Sequence, residues 1–256
     1  MSECVVVLGP YRSGTSLVAQ VIEQLGVDFG PTRELLAPSR YNPGGYLERG
    51  DVNALNRRLI VSAGGTLGAP GDPVTLIQQA DASILDDVSF PWPGHRRFWG
   101  LKDPRFCATL KLWVDAGALH ADTVKILYVV RDPEAIVRSS LEHPSVQKFC
   151  ARDADRARKM VDDYIALAEW QARTLGLPTF RLVYEDLIRA PREQTGLIAA
   201  WLGVENEFLI DRAARRIGKR SAQGRYLVKR TFALPLRALR RAYRLCSRGT
   251  VRRPAV

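Results

Sequence analysis

Short apolar runs separated by longer amphipathic stretches predict an α/β protein. Four runs rich in Val, Ile, Leu and aromatic residues are predicted as strands, at 4–8, 98–101, 124–130 and 179–183. The third is nearly continuously apolar after Lys125, as expected of a central strand covered on both faces. Because helical stretches separate the runs, we predict a three-layer fold with a parallel sheet between two layers of helices.

Capping residues mark the predicted helices, which cover 15–25, 104–114, 133–141, 154–175 and 191–202. Asp103-Pro104 and Asp132-Pro133 each offer an N-cap carboxylate followed by proline at the first helical position. Residues 63–97 are rich in Gly, Pro, Asp and Ser, with one helix predicted near 74–85. We interpret this stretch as a surface insertion that shapes a binding pocket.

Composition narrows the class of protein. A chain of 256 residues with 46% hydrophobic residues can bury a full core. The four cysteines form no CxxC pair and have no histidine at ligand spacing, so the sequence predicts neither a disulfide framework nor a metal site. No apolar run approaches the ~20 residues that cross a bilayer, and no secretory segment is evident, so we expect a cytoplasmic protein.

Charge is distributed unevenly along the chain. Residues 212–256 contain 15 Lys and Arg and no acidic residue, which leaves 23 Lys and Arg against 27 Asp and Glu in residues 1–211. Apolar positions from Phe232 to Cys246 recur at near-helical spacing between arginines, a basic amphipathic pattern suited to an anionic membrane surface or a polyanionic ligand. A helix packed on the domain with solvated arginines is the alternative. No nucleic-acid-binding motif is present.

The first predicted strand leads into a Gly-rich turn and then a helix, the setting of a phosphate-binding loop. The turn reads Gly9-Pro10-Tyr11-Arg12-Ser13-Gly14-Thr15-Ser16. Backbone N–H groups in such a turn point at an anion, and the helix N-terminus adds partial positive charge. The spacing fits a Walker A loop, except that Thr15 stands where the lysine that reaches the β- and γ-phosphates belongs. The loop therefore suits a shorter anion, with Arg12 as the cation.

Several motifs resemble those of PAPS-dependent sulfotransferases, which use 3′-phosphoadenosine-5′-phosphosulfate (PAPS). Residues 11–16 resemble the 5′-phosphosulfate loop, and Arg131 with Ser139 resembles the 3′-phosphate motif. Residues 101–105 resemble the lysine-bearing segment of bacterial and tyrosylprotein sulfotransferases. Residues 183–187 resemble the Tyr-Glu-Asp stretch near the adenine site, and 42–48 are also matched. The resemblance implies a P-loop NTPase-like topology, with a sulfotransferase domain over 1–211 and a basic segment over 212–256.

The resemblance also implies residue roles. Lys102, Glu48 and Arg12 are the expected catalytic residues. The expected PAPS-binding residues are Arg12, Ser13, Gly14, Thr15, Ser16, Arg131, Ser139 and Tyr184. We expect no metal, because a sulfuryl group carries less negative charge than a phosphoryl group. Lys219, Arg220 and Arg225 are further candidates for closing over the 3′-phosphate.

The general base is left open by the sequence. His95, His120 and His143 fall in no recognised motif. In related sulfotransferases a glutamate downstream of the first helix serves as the base, and Glu48 is the best placed here. Glu34 is the second candidate and Asp51 the third.

We predict transfer of a sulfuryl group from PAPS to a hydroxyl acceptor, with a carbohydrate or glycolipid as the first choice and a phenol or peptidyl tyrosine still open. One alternative is a P-loop nucleotide kinase or NTPase, and position 15 argues against it. The other is a non-catalytic adaptor that binds anions or membranes. The retained Arg12, Lys102, Arg131 and Ser139 argue against a degenerate loop.

Overall fold

A computed structural model of the chain describes residues 2–88 and 97–217. Its four strands are β1 (Glu3–Leu8), β2 (Phe98–Lys102), β3 (Thr123–Val130) and β4 (Thr179–Val183). They lie in the order β2-β1-β3-β4, and each neighbouring pair is parallel. The predicted parallel sheet is confirmed, and β3 is one of its two inner strands.

Nine α-helices with complete bounds connect and cover the strands in the part of the chain that the structure describes. They are α1 (Thr15–Gln24), α2 (Gly50–Ser62), α3 (Pro73–Gln79), α4 (Phe106–Asp115), α5 (Pro133–Glu142), α6 (Pro144–Gln147), α7 (Ala154–Thr174), α8 (Tyr184–Arg189) and α9 (Pro191–Leu202). Short 3₁₀ turns occupy Thr32–Glu34 and Ala82–Leu85. Helical residues also cover 207–217.

The alternating side chains of β1 enter two separate cores. Val5 and Val7 pack with the apolar faces of α1 and α9, whereas Cys4, Val6 and Leu8 pack with α2, α4 and α7. Helices therefore cover both faces of the sheet, which explains why the inner strand β1 is apolar on both sides. The three-layer α/β prediction is confirmed.

All four strands end at the same edge of the sheet, where ligands bind in open α/β folds. The register pairs Val7 of β1 with Lys102, the last residue of β2. Arg131 follows β3 directly, and Tyr184 follows β4 as the first residue of α8. The ends of the four neighbouring strands thus carry, at one edge of the sheet, the predicted phosphate loop, Lys102, Arg131 and Tyr184.

The structure differs from the sequence prediction in several helices, of which α2 and α4 bear on the site. Helix α2 was not predicted, because Asn56 occupies its buried face between Val52 and Leu59 and interrupts the apolar stripe. Helix α4 begins at Phe106, two residues later than predicted, and the Asp103 carboxylate accepts from the Arg105 backbone N–H at 2.9 Å.

The predicted insertion is only partly a surface feature. Leu76 of α3 and Leu85 of the following 3₁₀ turn are buried in the core. The remainder of the stretch, 89–96, lies outside the described residues.

The start of the basic segment packs on the domain. Ala213 and Ile217 are fully buried in the core shared with α1 and α9. The remainder of the segment, including Lys219, Arg220 and Arg225, lies outside the described residues. Among the described helices, none combines the length and apolar character needed to span a membrane.

Candidate functional site

The loop between β1 and α1 has a conformation that requires glycine at position 14. Gly14 is the N-cap of α1 and has φ 99°, in the left-handed region. A Cβ on Gly14 would lie 2.2 Å from Cδ2 of the Tyr184 ring. The absence of a side chain thus lets Tyr184 lie directly against the loop. The first turn of α1 leaves N–H groups without intrahelical acceptors, as an anion site needs.

Ser13 and Thr15 help to shape the loop from inside. The buried Ser13 hydroxyl donates to the Pro10 carbonyl at 2.8 Å. Thr15 is also buried, and its methyl group would lie 3.0 Å from a Cβ on Gly9. These contacts give both side chains a role in the loop conformation, and their contact with a nucleotide stays a prediction.

Arg12 joins the loop to α5. Its backbone is left-handed, with φ 67°, and its Nε donates to Ser139 Oγ at 3.1 Å. Arg131 donates from Nη1 to the Arg12 carbonyl oxygen at 2.7 Å. Two motifs more than a hundred residues apart, the loop and the Arg131–Ser139 pair, therefore form one cluster.

Arg131 and Tyr184 form the outer part of this cluster. The Arg131 guanidinium lies over the Tyr184 ring, 4.6 Å from its centroid, in a cation–π contact. Arg131 Nε is buried and has no hydrogen-bond partner among the described residues, and Glu185 Oε1 lies 4.0 Å away. A buried guanidinium N–H in this position can donate to a bound anion.

Lys102 and Glu48 form a second cluster beside the loop. Both side chains are buried and make a short ion pair, and Lys102 Nζ also donates to Ser16 Oγ at 3.1 Å. The structure thus brings together two of the predicted catalytic residues and one predicted PAPS-binding residue.

A polar network that the sequence did not predict holds this pair in place. Asp103 Oδ2 accepts from the amides of Asn53 and Asn56 at 2.9 and 3.1 Å, and Asp103 Oδ1 accepts from Arg105 at 2.9 Å. Burial raises the pKa of the Asp103 carboxyl, and Arg105 opposes that effect. The two asparagines lie on α2, just after Glu48, so the network fixes the loop that carries Glu48 to the end of β2.

The other two base candidates have a different partner. Arg49 is buried and pairs with Glu34 Oε2 at 2.6 Å and with Asp51 Oδ2 at 2.7 Å. Neither pair includes Lys102 or the phosphate loop. The geometry therefore favours Glu48 as the base, although the assignment stays a prediction.

His143 is a buried residue near the Arg12–Ser139 cluster that sequence reasoning did not select. It is 5% exposed and lies between α5 and α6. Burial and the nearby Arg12 charge lower the pKa of His143 to about 4. Its position one helical turn after Ser139 is the signal that could have identified it. His120 is exposed, and His95 lies outside the described residues.

In the part of the chain that the structure describes, the site thus combines the cations Arg12, Lys102 and Arg131 with the Glu48 carboxylate, and Glu185 lies beside Arg131. Over residues 2–88 and 97–217, no group of three or more His, Cys, Asp or Glu side chains could hold a metal ion. This arrangement can bind an anionic group at the loop and accept a proton beside it.

Comparisons with known proteins identify the family of the chain. The sulfotransferase family profile matches residues 4–207. No curated protein sequence matches the chain.

Solved structures similar to this chain include a sulfotransferase domain from the Synechococcus PCC 7002 olefin synthase, with TM-score 0.47, 20% identity and coverage of 82% of this chain and 76% of that one. Sulfotransferase STF9 from Mycobacterium avium has TM-score 0.46, 12% identity and coverage of 87% and 68%. Retinol dehydratase in complex with androsterone and the inactive cofactor PAP has TM-score 0.42, 16% identity and coverage of 84% and 64%.

The family profile covers most of the chain, from β1 to the residues after α9. The chain therefore belongs to the sulfotransferase family and is an enzyme that transfers sulfuryl groups.

Proposed function

We propose that this sulfotransferase takes the sulfuryl group from PAPS and transfers it to a hydroxyl of a carbohydrate or glycolipid. The observation that carries the proposal is the pair of clusters at the carboxyl edge of the sheet. Arg12 connects the phosphate loop to Ser139 and Arg131, and Lys102 lies with Glu48 beside the same loop. Membership of the sulfotransferase family supports PAPS as the donor.

The residues present fit a bisphosphorylated adenosine. Arg131 has a buried Nε without a hydrogen-bond partner among the described residues, as a binding site for a phosphate needs. The Tyr184 ring lies directly on Gly14, beside Arg131, where it offers an apolar surface to the adenosine. In this proposal Arg12, Ser13, Gly14, Thr15 and Ser16 hold the 5′-phosphosulfate.

PAPS supplies an activated sulfuryl group with adenosine 3′,5′-bisphosphate as its leaving group. Glu48 accepts the proton of the attacking hydroxyl, and Lys102, already in contact with Glu48 and Ser16, donates hydrogen bonds where negative charge develops. Arg12 and the loop N–H groups stabilise the charge on the leaving side. The Asp103 network orients Glu48 from behind.

The choice of a sugar acceptor rests on the basic segment, which suits an acidic or membrane-bound glycan. A phenol and peptidyl tyrosine are the competing acceptors.

We also propose a cytoplasmic enzyme that docks on anionic membranes through residues 212–256. Salt-sensitive liposome binding that is lost on truncation at Thr231 would support this docking, and binding that survives truncation would contradict it.

The donor is tested by thermal unfolding with adenosine 3′,5′-bisphosphate (PAP) and, separately, with ATP and Mg²⁺. We expect PAP to raise the melting temperature and ATP with Mg²⁺ to have little effect. The opposite result would support a P-loop kinase or NTPase, and no shift with either would support a non-catalytic adaptor. Acceptor preference is then measured with labelled PAPS as the donor, and galactosides, phenols and tyrosine peptides are compared as acceptors.

A further inference from the structure

His143 occupies a fixed position between two helices. It is the C-cap residue after α5 and precedes Pro144, the first residue of α6. Its extended backbone follows from the conformational limits on a residue before proline. The backbone N–H groups of Val146 and Gln147 both donate to the His143 carbonyl oxygen at 2.9 Å. The imidazole is thus held by the backbone around it.

Within the described part of the chain, one imidazole nitrogen is hydrogen-bonded and the other is not. Nδ1 lies 2.8 Å from Ser145 Oγ, and the Tyr41 ring lies 5.1 Å from the imidazole centroid. Nε2 is buried and has no hydrogen-bond partner among the described residues. A buried polar atom without a partner is costly, so a bound molecule that satisfies Nε2 would be stabilised.

The surroundings of His143 indicate which molecule this would be. Arg131 and Tyr184 contact the loop at the Arg12 carbonyl and at Gly14, and these contacts define the proposed nucleotide side. His143 instead follows Ser139 by four residues, just after the end of α5, and Ser139 is the residue to which Arg12 Nε donates at 3.1 Å. The charge of Arg12 also lowers the pKa of the imidazole.

The imidazole also contacts the Tyr41 ring. Tyr41 belongs to the same loop as Glu48. This loop is hydrogen-bonded to α1, because Gln20 Nε2 donates to the carbonyl oxygens of Gly44 and Gly45, both at 2.9 Å. His143 therefore contacts the loop that carries the proposed base and lies four residues from Ser139, the hydrogen-bond partner of Arg12.

We infer that His143 contacts the sulfuryl acceptor, with Nε2 hydrogen-bonded to a hydroxyl other than the reacting one and the exposed Tyr41 ring beside it. This inference rests on the proposed function. The imidazole brings no charge to the acceptor at neutral pH, because burial and Arg12 lower its pKa to about 4. A polyhydroxylated neutral ring, such as a sugar, matches these two contacts better than a phenol with one hydroxyl.

The test compares wild type, His143→Leu and His143→Gln with octyl β-galactoside and with 4-nitrophenol as acceptors, and measures the Kd for PAP in each protein. For His143→Leu we expect the KM for the galactoside to rise about tenfold, the loss of one buried hydrogen bond. We expect its Kd for PAP and its KM for 4-nitrophenol to stay unchanged. His143→Gln retains an amide that can reach the same hydroxyl, so it should recover part of the affinity.

Two further variants complete the design. His120→Leu, an exposed histidine, is the matched control and should leave all three constants unchanged. Tyr41→Ala removes a ring that is 42% exposed, so it should raise the galactoside KM without loss of folding. If His143→Leu does not fold, His143→Gln and Tyr41→Ala decide the outcome.

An unchanged galactoside KM in the His143 and Tyr41 variants, or a parallel loss of PAP affinity, would overturn the inference. Wild-type transfer to 4-nitrophenol but not to the galactoside would also overturn it while leaving sulfuryl transfer intact. A wild-type protein that binds no PAP and transfers to neither acceptor would remove the proposed function itself.

Discussion

Arg12 and Ser139 are hydrogen-bonded to each other, Nε to Oγ at 3.1 Å, although 127 positions separate them in the sequence. Arg131 supports the contact from the other side, because its Nη1 donates to the Arg12 carbonyl. The two motifs proposed to hold the two phosphates of PAPS are therefore in direct contact. A nucleotide that recruits Ser139 must change the environment of Arg12, and the two residues should not act independently.

A double-mutant cycle measures this coupling. Arg12→Ala and Ser139→Ala should each weaken PAP binding, and the double variant should lose less than the sum, with a coupling of about 0.5–3 kcal/mol. Calorimetric Kd values check the prediction. Arg57→Ala, which removes an exposed arginine on α2, is the control. Strict additivity would show that the contact is not part of nucleotide binding.

Glu48→Gln should lower kcat by about 10²–10⁴-fold, because the amide cannot accept the proton of the attacking hydroxyl. Glu34→Gln and Asp51→Asn interrupt the ion pairs with Arg49 instead. We expect these two variants to retain most of the turnover, measured with labelled PAPS. A larger loss of kcat in either of them than in Glu48→Gln would move the base assignment to that residue.

Lys102→Met should abolish turnover and also destabilise the protein. The substitution leaves the buried Glu48 carboxylate without its cation, and breaking such a pair costs about 3–5 kcal/mol. Adding Glu48→Gln should restore the free energy of unfolding but not the activity. The control is Lys111→Met, which breaks a more exposed pair with Asp115 and should cost less than about 1 kcal/mol. Equal costs in denaturant unfolding would contradict the buried-pair explanation.

Gly14→Ala should abolish PAP binding, because its Cβ would lie 2.2 Å from the Tyr184 ring and φ is 99°. Gly26→Ala separates these two causes, because Gly26 has φ 104° but no heavy atom lies within 4 Å of the position that a Cβ would take there. We expect Gly26→Ala to lose some stability and to bind PAP normally. If both variants bind PAP equally well, the close contact between Tyr184 and the loop does not contribute to PAP binding.

The stability of the protein should fall between pH 6.5 and pH 4, in part because of His143. Burial and Arg12 lower the pKa of His143 in the folded state to about 4, against an ordinary value of 6.5. The unfolded chain therefore takes up this proton first as pH decreases, which favours unfolding. At pH 5 the contribution is on the order of 1–2 kcal/mol. Urea unfolding at pH 7 and pH 5 should show a smaller loss in His143→Gln than in wild type.

The strands, the phosphate loop and most of the helices could be predicted because their signals are local. The apolar run before Gly9, the Asp132-Pro133 cap and the spacing from Arg131 to Ser139 are each contained in a few residues. Strand polarity then places these motifs at one edge of a parallel sheet. The loop sequence identified Arg12 as a candidate cation, and the resemblance to PAPS-dependent sulfotransferases added Lys102 and Arg131.

The remaining features depend on contacts between residues far apart in the sequence. Only the folded chain shows that Arg49 forms ion pairs with Glu34 and Asp51. It also shows that Lys102 pairs with Glu48. The same is true of the approach of Tyr41 to His143. The sequence by itself determined which local elements form and which anion-binding groups they carry. The tertiary structure decided which carboxylate meets which cation, because burial and distance, rather than residue type, set the strength of those pairs.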